Sequence, residues 1–543
     1  MMRLMRGVVA GVLVGVVGAG VGLAQVAGGE LARQIDGMLA DPAVARAHWG
    51  IAVVGMDGAP IYLRNEGELF QPASNAKLFT TAAAMALLGP ERRFETRVVA
   101  KGRFLRPGTW GGDLYLVGDG DANLSGREIP YVEPKDRPKA LPGAPLVEVN
   151  ALRHIEELAD QVVRSGIKRV DGNVIGDDTL FPRDPYPEDW AVDDVMWGYG
   201  APVSALVVND NQMKVTVTPG AREGMPATVK FDPAVRFYEV RGYVQTTKVG
   251  SGRWVNFSRE PGSRMFDISG SIAAGSQPES EEVAVSEPAL FAAEALKRAL
   301  EAKGVVVAGR AGERRLEQLP VRGFVAETRE PIDGLKYGNY SGYRLQSQFC
   351  FASAQCATAD GRVVASHESP RVAEDVVVTN KVSQNLHAEL MLHQLAVAYG
   401  KNGSTAQGAR VVRQFLLNAG VDGDDFVFFD GSGLSGHDLV TPRAVVRLLQ
   451  YAAGQPWFVE WKQSLPVGGV DGSLESRFGE AAIDGKVFAK TGTTGEARAL
   501  SGYLECASGR TVMFSILVNN HAPHTSVDRE VMDRIVGAIA AAE

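Results

Sequence analysis

Ser74-Asn75-Ala76-Lys77 follows Pro72-Ala73 and leads into a run rich in Ala, Leu and Met from Leu78 to Leu88. A proline just ahead of an apolar, helix-favouring run marks a helix N-terminus. On that helix Ser74 and Lys77 stand three residues apart, which puts hydroxyl and ammonium on one face and close together. Two more short motifs lie far downstream: Ser383-Gln384-Asn385, and Lys490-Thr491-Gly492-Thr493 at the end of an apolar stretch. Each motif alone is weak, because Ser and Lys three apart recur by chance and Lys-Thr-Gly is ordinary turn chemistry. Their order along one chain is the signal.

The residue types fit acyl transfer through a serine nucleophile. A neutral Lys77 takes the proton of Ser74, which requires that burial and neighbouring positive charge pull the amine down from its ordinary value near ~10.4. The helix dipole and a second cation, Lys490, are candidates for that push. Ser383 relays a proton to the leaving amine, and Asn385 orients Lys77 and the substrate amide. Lys490, Thr491 and Thr493, with Gly492 between them, make an electropositive, hydroxyl-lined strand suited to a terminal carboxylate. The backbone N–H groups of Ser74 and Thr493 are the expected oxyanion donors.

With these motifs in hand, the chain resembles the class C low-molecular-mass penicillin-binding proteins, the D-alanyl-D-alanine carboxypeptidase/endopeptidase family, from about residue 30 to the C-terminus. Further stretches carry the resemblance: Gly112 to Asp121, Gly172 to Phe181, Ala201 to Leu206, Asp430-Gly431-Ser432-Gly433-Leu434-Ser435, Leu465 to Leu474 and Phe514 to Asn520. It implies an exported serine DD-peptidase that cleaves peptidoglycan stem peptides or cross-links through a Ser74 acyl-enzyme. Penicillin and other β-lactams would act as inhibitors, and no cofactor or metal is implied. The alternatives are a β-lactamase or esterase on the same scaffold, or a wall-binding protein without activity. The resemblance also implies an Asp from an inserted region that binds the free amine of the stem peptide's diamino acid; the matching segment points to Asp177, with Asp178 as the neighbouring choice.

The long separation between Ser74 and Ser383 calls for a large insertion, and the resemblance supplies two extra domains. The expected organisation is a catalytic domain from residues 25–95 and 365–543, split by accessory domains over 96–364 with an inner β-rich part near 212–286. From about Phe94 the sequence becomes strand-like, as in Lys214 to Thr218 and Glu282 to Ser286, interrupted by one helix from Pro288 to Lys303. The catalytic halves start and finish with strands. Ile51 to Val54 and Ile61 to Arg64 form a hairpin across Asp57-Gly58-Ala59-Pro60, while Leu500 to Glu505 and Thr511 to Val518 precede a helix from Val527 to Ala542, with Thr525 and Ser526 as cap candidates. Their meeting in one sheet, implied by the resemblance, gives the α/β fold of serine β-lactamases and DD-peptidases.

Residues 1–24 read as a signal peptide: Arg3 and Arg6, an apolar stretch from Gly7 to Val21, then Gly22-Leu23-Ala24. The expected location is the periplasm or the extracytoplasmic face of a bacterial envelope, with peripheral membrane association left open. Net charge is −8, with 56 Lys and Arg against 64 Asp and Glu, and no basic cluster offers a footprint for nucleic acid. Of the three cysteines, Cys350 and Cys356 are near enough in sequence to bridge a loop, with Cys506 left in a strand; three free thiols is the equal alternative. Segment 333–368, with Tyr337, Tyr340 and Tyr343, matches nothing in the family and reads as a groove rim or a surface excursion.

Rival chemistries find little support. His387 and His393 are six apart, not the four of a zinc helix, so helix surface or core is the better reading. Gly433-Leu434-Ser435-Gly436-His437 misses the nucleophile-elbow register by one residue, so Asp430 to Ser435 reads as a loop that supports the site, as the resemblance implies. Gly118-Asp119-Gly120-Asp121 reads as a tight turn.

Overall fold

A computed structural model describes residues 29–137, 149–317, 323–335 and 361–543, apart from 481, 496 and 523–524. The leader, Cys350 with Cys356, and the three tyrosines of segment 333–368 lie outside the described residues.

Near-continuous apolar strands need cover on both faces, and Ile51 to Val54 and Val512 to Val518 have it. They belong to a five-stranded antiparallel sheet in the order Val487–Thr494, Ala497–Glu505, Thr511–Asn519, His48–Gly55, Pro60–Arg64. The two ends of the chain therefore share one sheet. Ile51, Val53, Phe514 and Ile516 share a core with Ile35 and Leu39 of helix Glu30–Leu39 and Val531 and Ile535 of helix Val527–Ala542. Ala52, Val54, Met513 and Leu517 face the other way, toward Phe79 and Ala83 of helix Ala76–Leu87 and Val445 and Leu448 of helix Pro442–Ala453. Helices on both faces of a sheet give the expected fold class. Every residue of Ala76–Leu87 is buried, so this helix fills the centre of the catalytic core, as an element apolar on all sides must.

The inserted region makes its own layers. A seven-stranded sheet includes Glu95–Arg106, Thr109–Val117, Val174–Pro182 and Ala311–Leu316, with helices Arg153–Arg164 and Pro288–Ala302 in its core. Strand Arg362–Glu368 pairs with Glu95–Arg106, Glu368 opposite Glu95, so the sheet runs on to Glu368 and the chain leaves and re-enters the catalytic domain at one place. Two three-stranded sheets between Gln212 and Ala284 form the inner part. Helix Arg153–Arg164 is absent from the sequence expectation, although Ile155, Leu158, Ala159 and Val162 give it a helical stripe that is buried. At helix Val527–Ala542 the cap acceptor is the Thr525 hydroxyl, which takes the Val527 N–H at 3.2 Å, while Ser526 turns its hydroxyl to Glu530. Among the described residues no helix is long and apolar enough to cross a membrane.

Candidate active site

Ser74 lies in a short 3-10 turn, Ala73–Asn75, that runs straight into helix Ala76–Leu87. Two glycines let other segments close on this turn. A Cβ on Gly433 would stand 1.8 Å from the Ala73 carbonyl oxygen, and one on Gly492 would stand 2.8 Å from that of Pro72 and 3.0 Å from the Ser74 nitrogen. Gly492 thus brings the edge strand Val487–Thr494 against the Ser74 N–H. Asn75 ties the first motif to the third, its Nδ2 donating to the Lys490 carbonyl at 2.9 Å.

Lys77 is fully buried, and its Nζ lies 2.9 Å from Ser74 Oγ, 2.6 Å from Asn385 Oδ1 and 2.7 Å from the Ser432 carbonyl oxygen. The last two can only accept. A neutral amine has two N–H bonds; with both spent on those acceptors, its lone pair faces the Ser74 hydroxyl. Burial pulls the Lys77 amine down to about 8, while Asp430, Glu389 and Asp438 push the other way. Of the two expected causes, burial lowers Lys77, and Lys490 is not among the groups that shift it. The repulsion registers on the partner instead, for Lys490 is held well below its ordinary value by burial first and the Lys77 charge second.

Lys490 Nζ donates to Ser383 Oγ at 2.9 Å and to the Thr491 carbonyl at 3.0 Å. Ser383 has φ of 62°, a left-handed conformation that is strained for a residue with a side chain. Asn385, the first residue of helix Asn385–Tyr399, bridges two sides: Oδ1 accepts from Lys77 and Nδ2 donates to the Tyr199 carbonyl at 2.9 Å. Thr491 shares a hydrogen with Ser473, Oγ1 to Oγ 2.6 Å, and the Thr493 hydroxyl donates to the Gly492 carbonyl at 2.8 Å. Of the expected residues, Ser74, Lys77, Ser383, Asn385, Lys490, Thr491, Gly492 and Thr493 therefore meet in one place.

Asp177 does not join them by any hydrogen bond or ion pair. Its buried carboxylate accepts from the Thr179 N–H and hydroxyl, at 3.2 and 2.6 Å, and from Arg314 Nη1 at 3.1 Å across the accessory sheet. In this structure the carboxylate fastens the accessory sheet through these contacts. Asp178 accepts from the Ala205 N–H at 2.5 Å and is raised to about 7 by burial.

Further residues support the site. Asp430 takes the N–H groups of Ser432, Gly433, Leu434 and Ser435 and the indole of Trp190, and so shapes the loop whose Ser432 carbonyl holds Lys77. Beneath it Glu389 accepts the Gly431 N–H at 3.0 Å and is raised to about 8, by burial first and Asp430 second. Tyr199 and Asp210 reach the second motif from the inserted region. The supporting loop from Asp430 to Ser435 was read from sequence, whereas Glu389, Tyr199 and Asp210 were missed, because only the fold brings them there. His387 and His393 are both fully buried. A cavity of about 80 Å³ between Phe181, Arg183, Arg315 and His393 includes no motif residue in its lining.

The model of the D-Ala-D-Ala carboxypeptidase 3 (S13) family matches residues 31–320 and 340–542. The chain belongs to that family. It is 33% identical over 507 residues to the D-alanyl-D-alanine carboxypeptidase of Actinomadura sp. (strain R39), covering 91% of this chain and 81% of that protein. It is 22% identical to the D-alanyl-D-alanine carboxypeptidase DacB of Haemophilus influenzae, covering 83% and 80% respectively. The crystal structure of penicillin binding protein 4 (dacB) from Haemophilus influenzae superimposes with a TM-score of 0.73 at 20% identity, over 94% of this chain and 98% of that one, which shows the same fold. A second structure of that protein, complexed with a novel β-lactam, gives 0.68. In this serine-type carboxypeptidase family the three motifs are the natural place to look for the chemistry.

Proposed function

We propose that the chain is an exported DD-peptidase that opens D-alanyl bonds of peptidoglycan stem peptides, or of the cross-links made from them, through an ester on Ser74. The observation that carries this reading is Lys77, buried, aimed at Ser74 Oγ and restrained by two obligate acceptors.

Ser74 Oγ attacks the carbonyl carbon of the scissile bond while its proton passes to neutral Lys77. The charge that develops on the carbonyl oxygen falls between the N–H groups of Ser74 and Thr493, fixed donors that need no rearrangement. The C–N bond then breaks, and the departing D-alanyl amine takes a proton through Ser383, which already receives a hydrogen bond from Lys490. Water attacks the ester, its proton returns to the base, and Ser74 is regenerated. Lys490, with the hydroxyls of Thr491 and Thr493, holds the substrate carboxylate. Strand Val487–Thr494 is at the sheet edge, so its free backbone groups can pair with an extended peptide.

A β-lactam offers the same arrangement of amide carbonyl and carboxylate, so penicillin would acylate Ser74 and remain. That a relative's structure was obtained with a β-lactam bound supports this. Residues 1–24 support export to the compartment where the wall lies. Digestion of defined muropeptides followed by mass spectrometry tests the proposal: loss of terminal D-alanine, or opening of D-alanyl cross-links, is expected, and β-lactam turnover without any peptide cleavage would favour a β-lactamase.

A further inference from the structure

The middle residue of the second motif, Gln384, points away from the nucleophile and into the inserted region. Its Nε2 donates to Asp210 Oδ2 at 2.9 Å, while its Oε1 accepts the Leu386 N–H at 3.0 Å and caps helix Asn385–Tyr399. Both ends of the amide are used. An Asp here could cap the helix but would set a second carboxylate against Asp210. Gln at 384 and Asp at 210 are therefore a matched donor and acceptor.

Asp210 is itself held for this task. Asn209, Asp210 and Asn211 have φ of 53°, 55° and 52°, three successive left-handed residues of the types that tolerate it best. Side-chain amides keep the turn: Asn209 Nδ2 donates to the Gln212 carbonyl at 2.9 Å, Asn211 Nδ2 to that of Pro202 at 3.1 Å, and Asn211 Oδ1 accepts the Val208 N–H at 3.2 Å. Asp210 is 2% exposed, and a guanidinium and an imidazole neutralise it. Arg127 pairs with Oδ2, and His387 Nε2 stands 3.2 Å from Oδ1. His387 is anchored in turn through Nδ1 to Asp375 at 2.6 Å, and Asn123 Nδ2 reaches the same carboxylate at 3.2 Å. The accessory region thus grips the catalytic helix at both Gln384 and His387. A third grip, the Tyr199 carbonyl on Asn385, lies beside them.

Ser383, just before Gln384, is the strained residue that meets Lys490, and Asn385, just after it, meets Lys77. We propose that Asp210 is a positioning residue of the active site: by holding Gln384 it fixes the strained turn that presents Ser383 and Asn385, so the inserted region sets the geometry of the second motif. This rests on the reading of Ser74 as nucleophile. It gives the insertion a part in each acylation event.

Exchange of donor and acceptor tests it. Gln384→Glu puts two carboxylates face to face, and Asp210→Asn takes the acceptor charge away. In the double variant the amide introduced at position 210 can donate to the carboxylate introduced at position 384, the helix cap survives, and one carboxylate remains beside Arg127 and His387. Penicillin acylation is followed to saturation on active-site-titrated protein, alongside thermal unfolding. Each single variant should lose about 10-fold or more in the limiting acylation rate constant with little change in half-saturation, and the double variant should return to within about 3-fold of the parent. Single variants that unfold earlier yet acylate at the parental rate per competent site, or a double variant that shows only the combined losses, would overturn it. Gln384 is half-buried, so Gln384→Glu keeps the test available should Asp210→Asn fail to fold. A parent chain that takes no label at all defeats the reading of Ser74, a different result from a labelled parent with indifferent variants.

Discussion

Lys77 Nζ lies 2.9 Å from Ser74 Oγ, and the remaining neighbours within hydrogen-bond reach of that amine, Asn385 Oδ1 and the Ser432 carbonyl oxygen, can only accept. The arrangement commits two hydrogens and leaves one lone pair, directed at the nucleophile. Three separate stretches of chain are needed to produce it.

The pH dependence follows from burial. With Lys77 at about 8 and the neutral amine as the active base, acylation should rise with pH and reach half its plateau near that value. Stopped-flow measurement of acylation by a chromogenic β-lactam, from acid to mildly alkaline pH, checks the direction. A rate that falls through this range would require the ammonium form to be active.

Lys77→Ala should lower acylation by about 10² or more, the usual scale for loss of a general base. Lys490→Ala should act differently, raising KM most for substrates with a free terminal carboxylate. Comparison of peptides with free and amidated C-termini separates the two roles.

Gly492→Ala places a Cβ at 2.8 Å from the Pro72 carbonyl oxygen and 3.0 Å from the Ser74 nitrogen, so the edge strand must retreat from the nucleophile. A shift on the order of 1 Å at an oxyanion donor costs about 10² in rate. The fold should persist, because strand Val487–Thr494 keeps its pairing with Ala497–Glu505 along the rest of its length. Acylation kinetics with circular dichroism on one preparation give both answers.

Much of this site was legible because its chemistry is local. Ser74 and Lys77 are one helical turn apart, and Lys490-Thr491-Gly492 lies along one strand, so spacing alone sets their relative directions. Asp177 is harder to read for the opposite reason: its setting depends on Arg314, which reaches it only through pairing of strands Val174–Pro182 and Ala311–Leu316. A one-dimensional reading cannot tell a carboxylate that fastens a sheet from one open to a ligand. For Lys77 the sequence pointed to burial and to a nearby cation alike, and only the packed helix shows that burial dominates. The hairpin Ile51 to Arg64 and the C-terminal strands were readable from alternation and turn residues, whereas helix Arg153–Arg164 was overlooked amid strand-like surroundings despite its apolar stripe.

Asp177→Ala should accordingly behave as a stability variant. Removing a buried acceptor shared by Thr179 and Arg314 costs about 1–3 kcal/mol, visible as earlier thermal unfolding. The ratio of kcat/KM for peptides with free and acylated diamino acid side chains should stay at its parental value. A collapse of that ratio would return Asp177 to the specificity site.

Asp430→Ala removes the acceptor for four backbone N–H groups and leaves the Ser432 carbonyl without a fixed position under Lys77. Acylation should fall even though Asp430 touches neither Ser74 nor Lys77 by hydrogen bond. The pH at half-plateau, measured on the residual rate, should move down, because a charge that opposed the loss of the Lys77 proton is gone. An unchanged rate would show that the loop holds its shape without this carboxylate.

The most direct measurement is intact-protein mass spectrometry of the mature protein after incubation with penicillin, followed by proteolysis and mapping of the modified peptide. One covalent adduct on the peptide that carries Ser74, absent from Ser74→Ala, is the expected result. An adduct on Ser383, or one that persists in Ser74→Ala, would contradict the assignment of the nucleophile.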